Sequence, residues 1–435
     1  MTIRKFAIAS MLLLAAGCRD EQVSTTSVET TTPPPATQSS APAPAVSVPV
    51  GGQPMTIAEM ERQRFDENWR KLQSFRSQEA ARAAQPAQPA QTQPAANITF
   101  AKTGKFSETM DTLNPATIDS MPVQVPIKGD VQGPSVLKTQ VLLDRIRFSP
   151  GILDGRWGKN SEIAVYWFQQ QNGITPTGTV DEQTFRALAG AAGGSAAALT
   201  SHTLTADDVK GPFVTIPADV YEKAKLDCMC YESLGEKLAE QFHTSVDLLK
   251  RLNPGADLNS LQAGASIEAP NAREELTTDQ PANIKDIVVS VDGNYLHAVG
   301  DDGGIIFHAP TTVGSKYDPS PNETTKVTGI SFNPDFHYQP TLFHEVSDTD
   351  PEAMLKSGAN SPVGVVWMAL AKPHFGIHGT SDPESIGYAS SHGCIRLSNW
   401  DANDLAHMLK NGTEVKFTDT RVAATADSSQ AQPGK

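Results

Sequence analysis

Apolar positions recur with different periods along the chain, and each period marks a different kind of structure. Between 129 and 192, Val136, Leu137, Gln140, Val141 and Leu142 share one helical face. Ala164, Val165, Trp167, Phe168 and Gln169 share a second, and a third helix opens behind Asp181, whose carboxylate suits an N-cap ahead of Glu182 to Phe185. From 284 onward the pattern shortens to β runs: Ile287–Val291, Tyr295–Val299, Ile305–His308, then Val363–Leu370 and Thr413–Phe417. Asp-Gly and Gly-Asn pairs part the first of these, and a helix from Trp400 to Leu409 precedes the last. Over residues 229–271 a helix runs to Phe242, followed by His243–Leu249 and a Leu252-Asn-Pro254 step before Ile267.

Elsewhere the periodicity lapses. Residues 19–54 are mostly Ser, Thr, Pro and Ala, and 85–97 repeat Gln-Pro-Ala, so both read as extended tether. One amphipathic helix interrupts them at Phe65, Trp69, Leu72 and Phe75. The organisation that follows is a leader over 1–18, a low-complexity tether over 19–128, a helical module over 129–192 and a linker over 193–219. An α+β module over 220–271, a mainly β domain over 283–420 and a disordered tail over 421–435 complete it.

Composition sharpens the partner class. With 35 Lys and Arg against 49 Asp and Glu the chain carries a net charge of −14, and no basic run offers a footprint for nucleic acid. Arg4 and Lys5 followed by the apolar run Phe6–Ala16 read as an export signal, well short of the roughly 20 residues of a spanning helix. The run ends in Leu14-Ala-Ala-Gly-Cys18, which resembles a bacterial lipoprotein cleavage site. That resemblance implies lipid on Cys18, a membrane anchor and a periplasmic protein, with Arg19 behind the cysteine pointing to the outer membrane.

Of the four cysteines, Cys228 and Cys230 stand one residue apart; a mutual disulfide is strained at that spacing and no neighbouring Cys or His pair offers a metal site, so their state stays open. Cys394 is different. It lies in Ser391-His-Gly-Cys-Ile-Arg-Leu397, 16 positions beyond His378 in His374-Phe-Gly-Ile-His-Gly-Thr380. A thiol becomes a strong nucleophile when a neighbouring imidazole or oriented amides favour the thiolate. Gly393 removes a side chain beside the sulfur, and the Gly393 and Cys394 amides are candidates to hold an oxyanion.

The pairing of His378-Gly-Thr380 with Ser391-His-Gly-Cys-Ile-Arg-Leu397 resembles the YkuD-type L,D-transpeptidase signature across roughly 284–420. The resemblance implies a β-sandwich of mixed sheets with a short helix, and a thioester on Cys394 formed from a peptidoglycan tetrapeptide stem with loss of D-Ala. It implies His378 as general base and acid, the Gly379 carbonyl orienting it, Ser391, His392 and Gly393 around the oxyanion, and Arg396 shaping the pocket or meeting a substrate carboxylate. It calls for no cofactor and no metal. The helical module over 129–192, with its Gly151-Ile-Leu-Asp-Gly155 and Gly178-Thr-Val-Asp181 turns, resembles the three-helix peptidoglycan-binding module. Residues 220–271 resemble a divergent LysM module, a βααβ unit that binds glycan.

Other readings compete for the same residues. A cysteine is more often a small buried apolar residue than a nucleophile. His374, His378, His392 and Cys394 form a candidate zinc set, which lacks an acidic or second-cysteine ligand. With water in place of an amine acceptor the same site makes an L,D-carboxypeptidase or amidase, and with a decayed site the chain is a lipid-anchored peptidoglycan-binding protein. The acceptor is a stem peptide, an envelope protein or water. Residues 318–327 and 331–362 read as an insertion able to act as a lid.

Overall fold

Helical elements gather where the 3.6-residue period predicted them. The computed structural model describes residues 98–419 apart from 103 and 316. The leader, Cys18, the tether up to residue 97 with the helix expected over Phe65–Phe75, and the tail at 421–435 all lie outside the described residues. Three helices, α1 (Pro134–Arg145), α2 (Lys159–Gln171) and α3 (Glu182–Ala191), pack Val136, Leu142, Ala164, Val165, Phe168, Phe185 and Leu188 into one core. Asp181 caps α3, accepting a hydrogen bond from the Thr184 amide at 2.8 Å. The segment 98–128, expected as the end of the tether, is instead packed: Met110, Ile118, Val123 and Ile127 are buried, and Ile127 bridges Val180. Its apolar residues follow no regular period, which is why it reads as tether in sequence.

The α+β unit also differs in its bounds. Strand β1 (Leu199–Thr203) lies in the expected linker and pairs antiparallel with β2 (Ser266–Pro270). Between them come the helical turn α4 (Val220–Lys223), α5 (Leu234–Gln241) and α6 (Val246–Leu252). Leu204, Leu238, Leu249 and Ile267 share their core. Ser233 and Ser245 cap α5 and α6. Cys228 and Cys230 are joined by a disulfide.

In the β domain, hydrogen bonds chain eight strands into one mixed sheet rather than the two sheets of a sandwich, in the order β11-β10-β9-β6-β12-β3-β4-β5. These are β3 (Ile284–Ser290), β4 (Tyr295–Gly300), β5 (Ile305–Pro310), β6 (Thr325–Phe332), β9 (Val366–Leu370), β10 (Gly376–His378), β11 (Ile395–Arg396) and β12 (Glu414–Thr418). Strand β6 joins the two halves: Thr325 and Lys326 pair with β12, and after an irregularity between Val327 and Gly329 the rest pairs with β9. Helix α7 (Asn399–Met408) lays Ala402, Leu405 and Ala406 into the core with Ile287, Phe307, Met368, Ile377 and Ile395. The expected insertion holds a hairpin, β7 (Phe336–Tyr338) with β8 (Ala353–Leu355).

A buried ionic cluster ties the modules together. Arg273, which follows β2, donates to Asp144 of α1, to Asp401 at 2.7 Å and to Asp404 at 2.8 Å on α7. His243 contributes a ring nitrogen 3.0 Å from Asp144 and stacks on Trp400 at 5.1 Å. All of these carboxylates are shielded from solvent, and the guanidinium is the charge set against their burial.

Candidate active site

Strand pairing explains why the two halves of the signature meet. Strands β10 and β11 are parallel, with Ile377 opposite Ile395 and His378 opposite Arg396. Side chains alternate across a sheet, so Ile377 and Ile395 enter the core while His378, Arg396 and Cys394 project to the other face. There Cys394, His378, His374, His392 and Arg396 line one cleft of ≈ 680 Å³. The expected lid supplies much of the remaining wall, through Phe336, Tyr338 and Phe343.

The imidazole of His378 is buried and stacked on Trp367, with ring centroids 5.3 Å apart. Its Nδ1 donates to the Gly379 carbonyl at 2.7 Å. A carbonyl only accepts, so Nδ1 carries the proton in the neutral ring and Nε2 keeps its lone pair. Burial, aided by the Arg396 charge, lowers the His378 pKa to about 3 against the opposing pull of the Gly379 hydrogen bond. The ring is therefore a neutral base at ordinary pH.

The Cys394 pKa moves up, mainly through burial, with the Gly376 backbone and Arg396 pulling the other way. The thiol points at the His374 carbonyl, 3.5 Å from sulfur. Both shifts favour the neutral forms, thiol and imidazole.

The turn before the sulfur is braced from within. Ser391 is buried and donates to the Cys394 carbonyl at 2.6 Å while accepting from the Gly393 amide at 3.1 Å. Its hydroxyl therefore shapes the turn instead of facing substrate, and the Gly393 amide expected at an oxyanion is engaged. Gly393 has φ +106, and a Cβ there would fall 2.7 Å from the Phe375 ring. Glycine is required for conformation and for space.

His392 turns toward the lid, its Nε2 lying 2.8 and 2.9 Å from the two Glu345 carboxylate oxygens and its ring edge-on to Phe343. Arg396 Nε is buried without a hydrogen-bond partner. The competing zinc set is not assembled: among the described residues, no three of His374, His378, His392 and Cys394 bring their ligand atoms within range of one another. Among the described residues Asp318, His344 and His392 come within ligand range of one another, and each already has a His–carboxylate partner.

Sequence reasoning missed Trp367 and Asn399. Asn399 accepts from the Thr380 amide at 3.1 Å and the Val365 amide at 3.2 Å. An asparagine just inside a helix start looks like ordinary capping chemistry in sequence.

Comparison with known proteins follows this geometry. Residues 284–417 match the YkuD family, described as the L,D-transpeptidase catalytic domain, and residues 132–188 match the "Putative peptidoglycan binding domain". The chain is 31% identical over 183 residues to "Putative L,D-transpeptidase YkuD" of Bacillus licheniformis, spanning 42% of this chain and 92% of that protein. It is 26% identical over 196 residues to "Probable L,D-transpeptidase YbiS" of Escherichia coli K12, spanning 44% of this chain and 62% of that protein. The crystal structure of L,D-transpeptidase 3 from Mycobacterium tuberculosis shares 16% identity, covering 37% of this chain and 76% of that chain with a TM-score of 0.27.

Proposed function

We propose that this chain, which belongs to the YkuD L,D-transpeptidase family, transfers peptidoglycan stem peptides through a thioester on Cys394. The observation that carries the reading is the shared cleft of Cys394 and His378, with His378 Nδ1 committed to Gly379 and Nε2 left as base. The Cys394 thiol gives its proton to Nε2 as sulfur attacks the carbonyl between the L-centre of meso-diaminopimelate and terminal D-Ala. The C–N bond breaks, the imidazolium returns the proton to the departing D-Ala amine, and the thioester remains. An acceptor amine then passes a proton to Nε2, attacks the thioester and frees the thiol. The buried Arg396 Nε, without a protein partner, suits a substrate carboxylate.

The matched peptidoglycan-binding segment and the β1–α5–α6–β2 unit, a LysM-like βααβ arrangement, would hold the wall beside the cleft. Lipid on Cys18 would keep the protein in the periplasm, at the outer membrane. Incubation with tetrapeptide muropeptides should release D-Ala and form dimers, and Cys394→Ala should do neither. Turnover by Cys394→Ala would sink the assignment. Tripeptide monomer without dimer would make water the acceptor and the enzyme a carboxypeptidase.

A further inference from the structure

His378 is held by the Gly379 carbonyl, and the N–H of that same peptide unit, on Thr380, is held by Asn399. Asn399 uses its amide oxygen on two backbone amides, Val365 and Thr380, which flank the cleft wall and the His378-Gly379 turn. Only glycines leave room for this approach: a Cβ at Gly364 or Gly379 would fall 2.0 or 2.2 Å from Asn399 Oδ1. On its other side Asn399 Nδ2 donates to the Ala359 carbonyl at 3.1 Å and to Glu240 Oε2 at 3.0 Å. Glu240 belongs to α5 of the α+β unit, and its second oxygen accepts from Tyr231 Oη at 2.9 Å.

An asparagine amide presents donors on one edge and an acceptor on the other, and a flip exchanges them. The Val365 and Thr380 amides only donate, and the Ala359 carbonyl and an ionised Glu240 only accept, so together they fix the nitrogen of Asn399 toward Glu240 and its oxygen toward the two amides. One turn earlier on α5, Glu236 accepts from Asn360 Nδ2 at 2.8 Å. The i, i+4 pair thus presents two carboxylates on one helical face to two asparagines of the β domain. The disulfide loop joins the same contact, with the Met229 amide on the Ser357 carbonyl and the Asn360 amide on the Met229 carbonyl. Residues 357–365, which supply Pro362 and Val363 to the cleft, are therefore backed by the α+β unit.

We infer that Glu240 is a positioning residue for the catalytic base, acting from outside the catalytic domain through Asn399 on the Gly379 turn that holds His378. The inference rests on the thioester reading above. Docking of the α+β unit then sets the alignment of the base, so the unit contributes to turnover as well as to binding. The groups facing Glu240 are Tyr231, Asn399 and the carboxylates of Glu236 and Glu275. Burial raises its pKa to about 7, with Glu275 and Glu236 adding to the rise and the Asn399 and Tyr231 hydrogen bonds opposing it. Protonation removes one acceptor position and loosens the hold on Asn399.

The test is the rate of Cys394 acylation by a carbapenem, followed by mass spectrometry in the full chain at several pH values. Wild type should acylate, more slowly as pH falls below about 7, the value that burial sets for Glu240. Glu240→Ala should lower the rate by about 10-fold or more, the scale of a small misalignment. Glu240→Gln, which keeps the shape but mimics the protonated carboxyl, should acylate at the slowed rate that wild type shows below pH 7 and should lose the change near pH 7. Leu238→Ala, which weakens the same helix without touching the relay, should acylate like wild type while melting earlier. Equal slowing by Glu240→Ala and Leu238→Ala, or wild-type acylation by a folded Glu240→Ala, would overturn the inference. If Glu240→Ala does not fold, the Glu240→Gln profile decides: a flat profile supports the inference and a wild-type profile refutes it. Failure of wild type itself to acylate would count against the thioester reading instead.

Discussion

His378 donates its Nδ1 proton to the carbonyl of the very next residue, Gly379, at 2.7 Å. The base is thereby oriented by backbone rather than by a carboxylate. Among the described residues no adjacent negative charge supports an imidazolium, while burial and Arg396 disfavour one.

The first expectation concerns that ring. Because its pKa is lowered from 6.5 to about 3, His378 should remain a neutral Nδ1–H tautomer from pH 8 down to pH 4. Nitrogen chemical shifts of selectively labelled histidine check this, and titration of His378 near 6.5 would contradict it.

Gly393→Ala should abolish most acylation. The new methyl meets the Phe375 ring in a backbone conformation that disfavours side chains, so the turn carrying Cys394 must move. A loss of about 10²-fold is expected from a misplacement near 1 Å. Carbapenem acylation kinetics measure it, and near-wild-type acylation would contradict the tight packing.

Arg273→Met should destabilise the described body by about 3–5 kcal/mol, since Asp144 and Asp401 would remain buried without their cation and Asp404 would keep only Arg147, 3.5 Å away. Urea denaturation gives the difference. An unchanged midpoint would mean that the carboxylates find water.

Acid should weaken the junction of α2 and the sheet. His297 and His308 are buried 2.9 Å apart, and both pKa values are lowered from 6.5 by burial, that of His308 to about 3. The unfolded chain binds protons there first. Their stabilising contribution is therefore complete above pH 6.5 and declines as pH falls toward about 3. Melting temperatures should drop through that window, and less steeply in a His297→Phe/His308→Phe variant.

Much of this was legible in the chain itself. Helical period and an N-capping aspartate announced α1 to α3, and the His378-Gly-Thr380 and Ser391-His-Gly-Cys394 segments announced which residues line the cleft, because a thiol, an imidazole and a small turn residue are local choices. Strand β6 was not legible: Thr325–Phe332 mixes exposed and half-buried positions, and its central place comes from pairing with β12 and β9, distant in sequence. The short strands β10 and β11 escaped for the same reason, having too few residues to show a period.

By itself the sequence determined which residues have the chemistry to react and which segments can bury a face. Only the tertiary structure decided which tautomer the base holds, which serine shapes the turn and which module supports Asn399. Those outcomes depend on hydrogen bonds and desolvation between residues far apart in the chain, and local pattern carries no record of either.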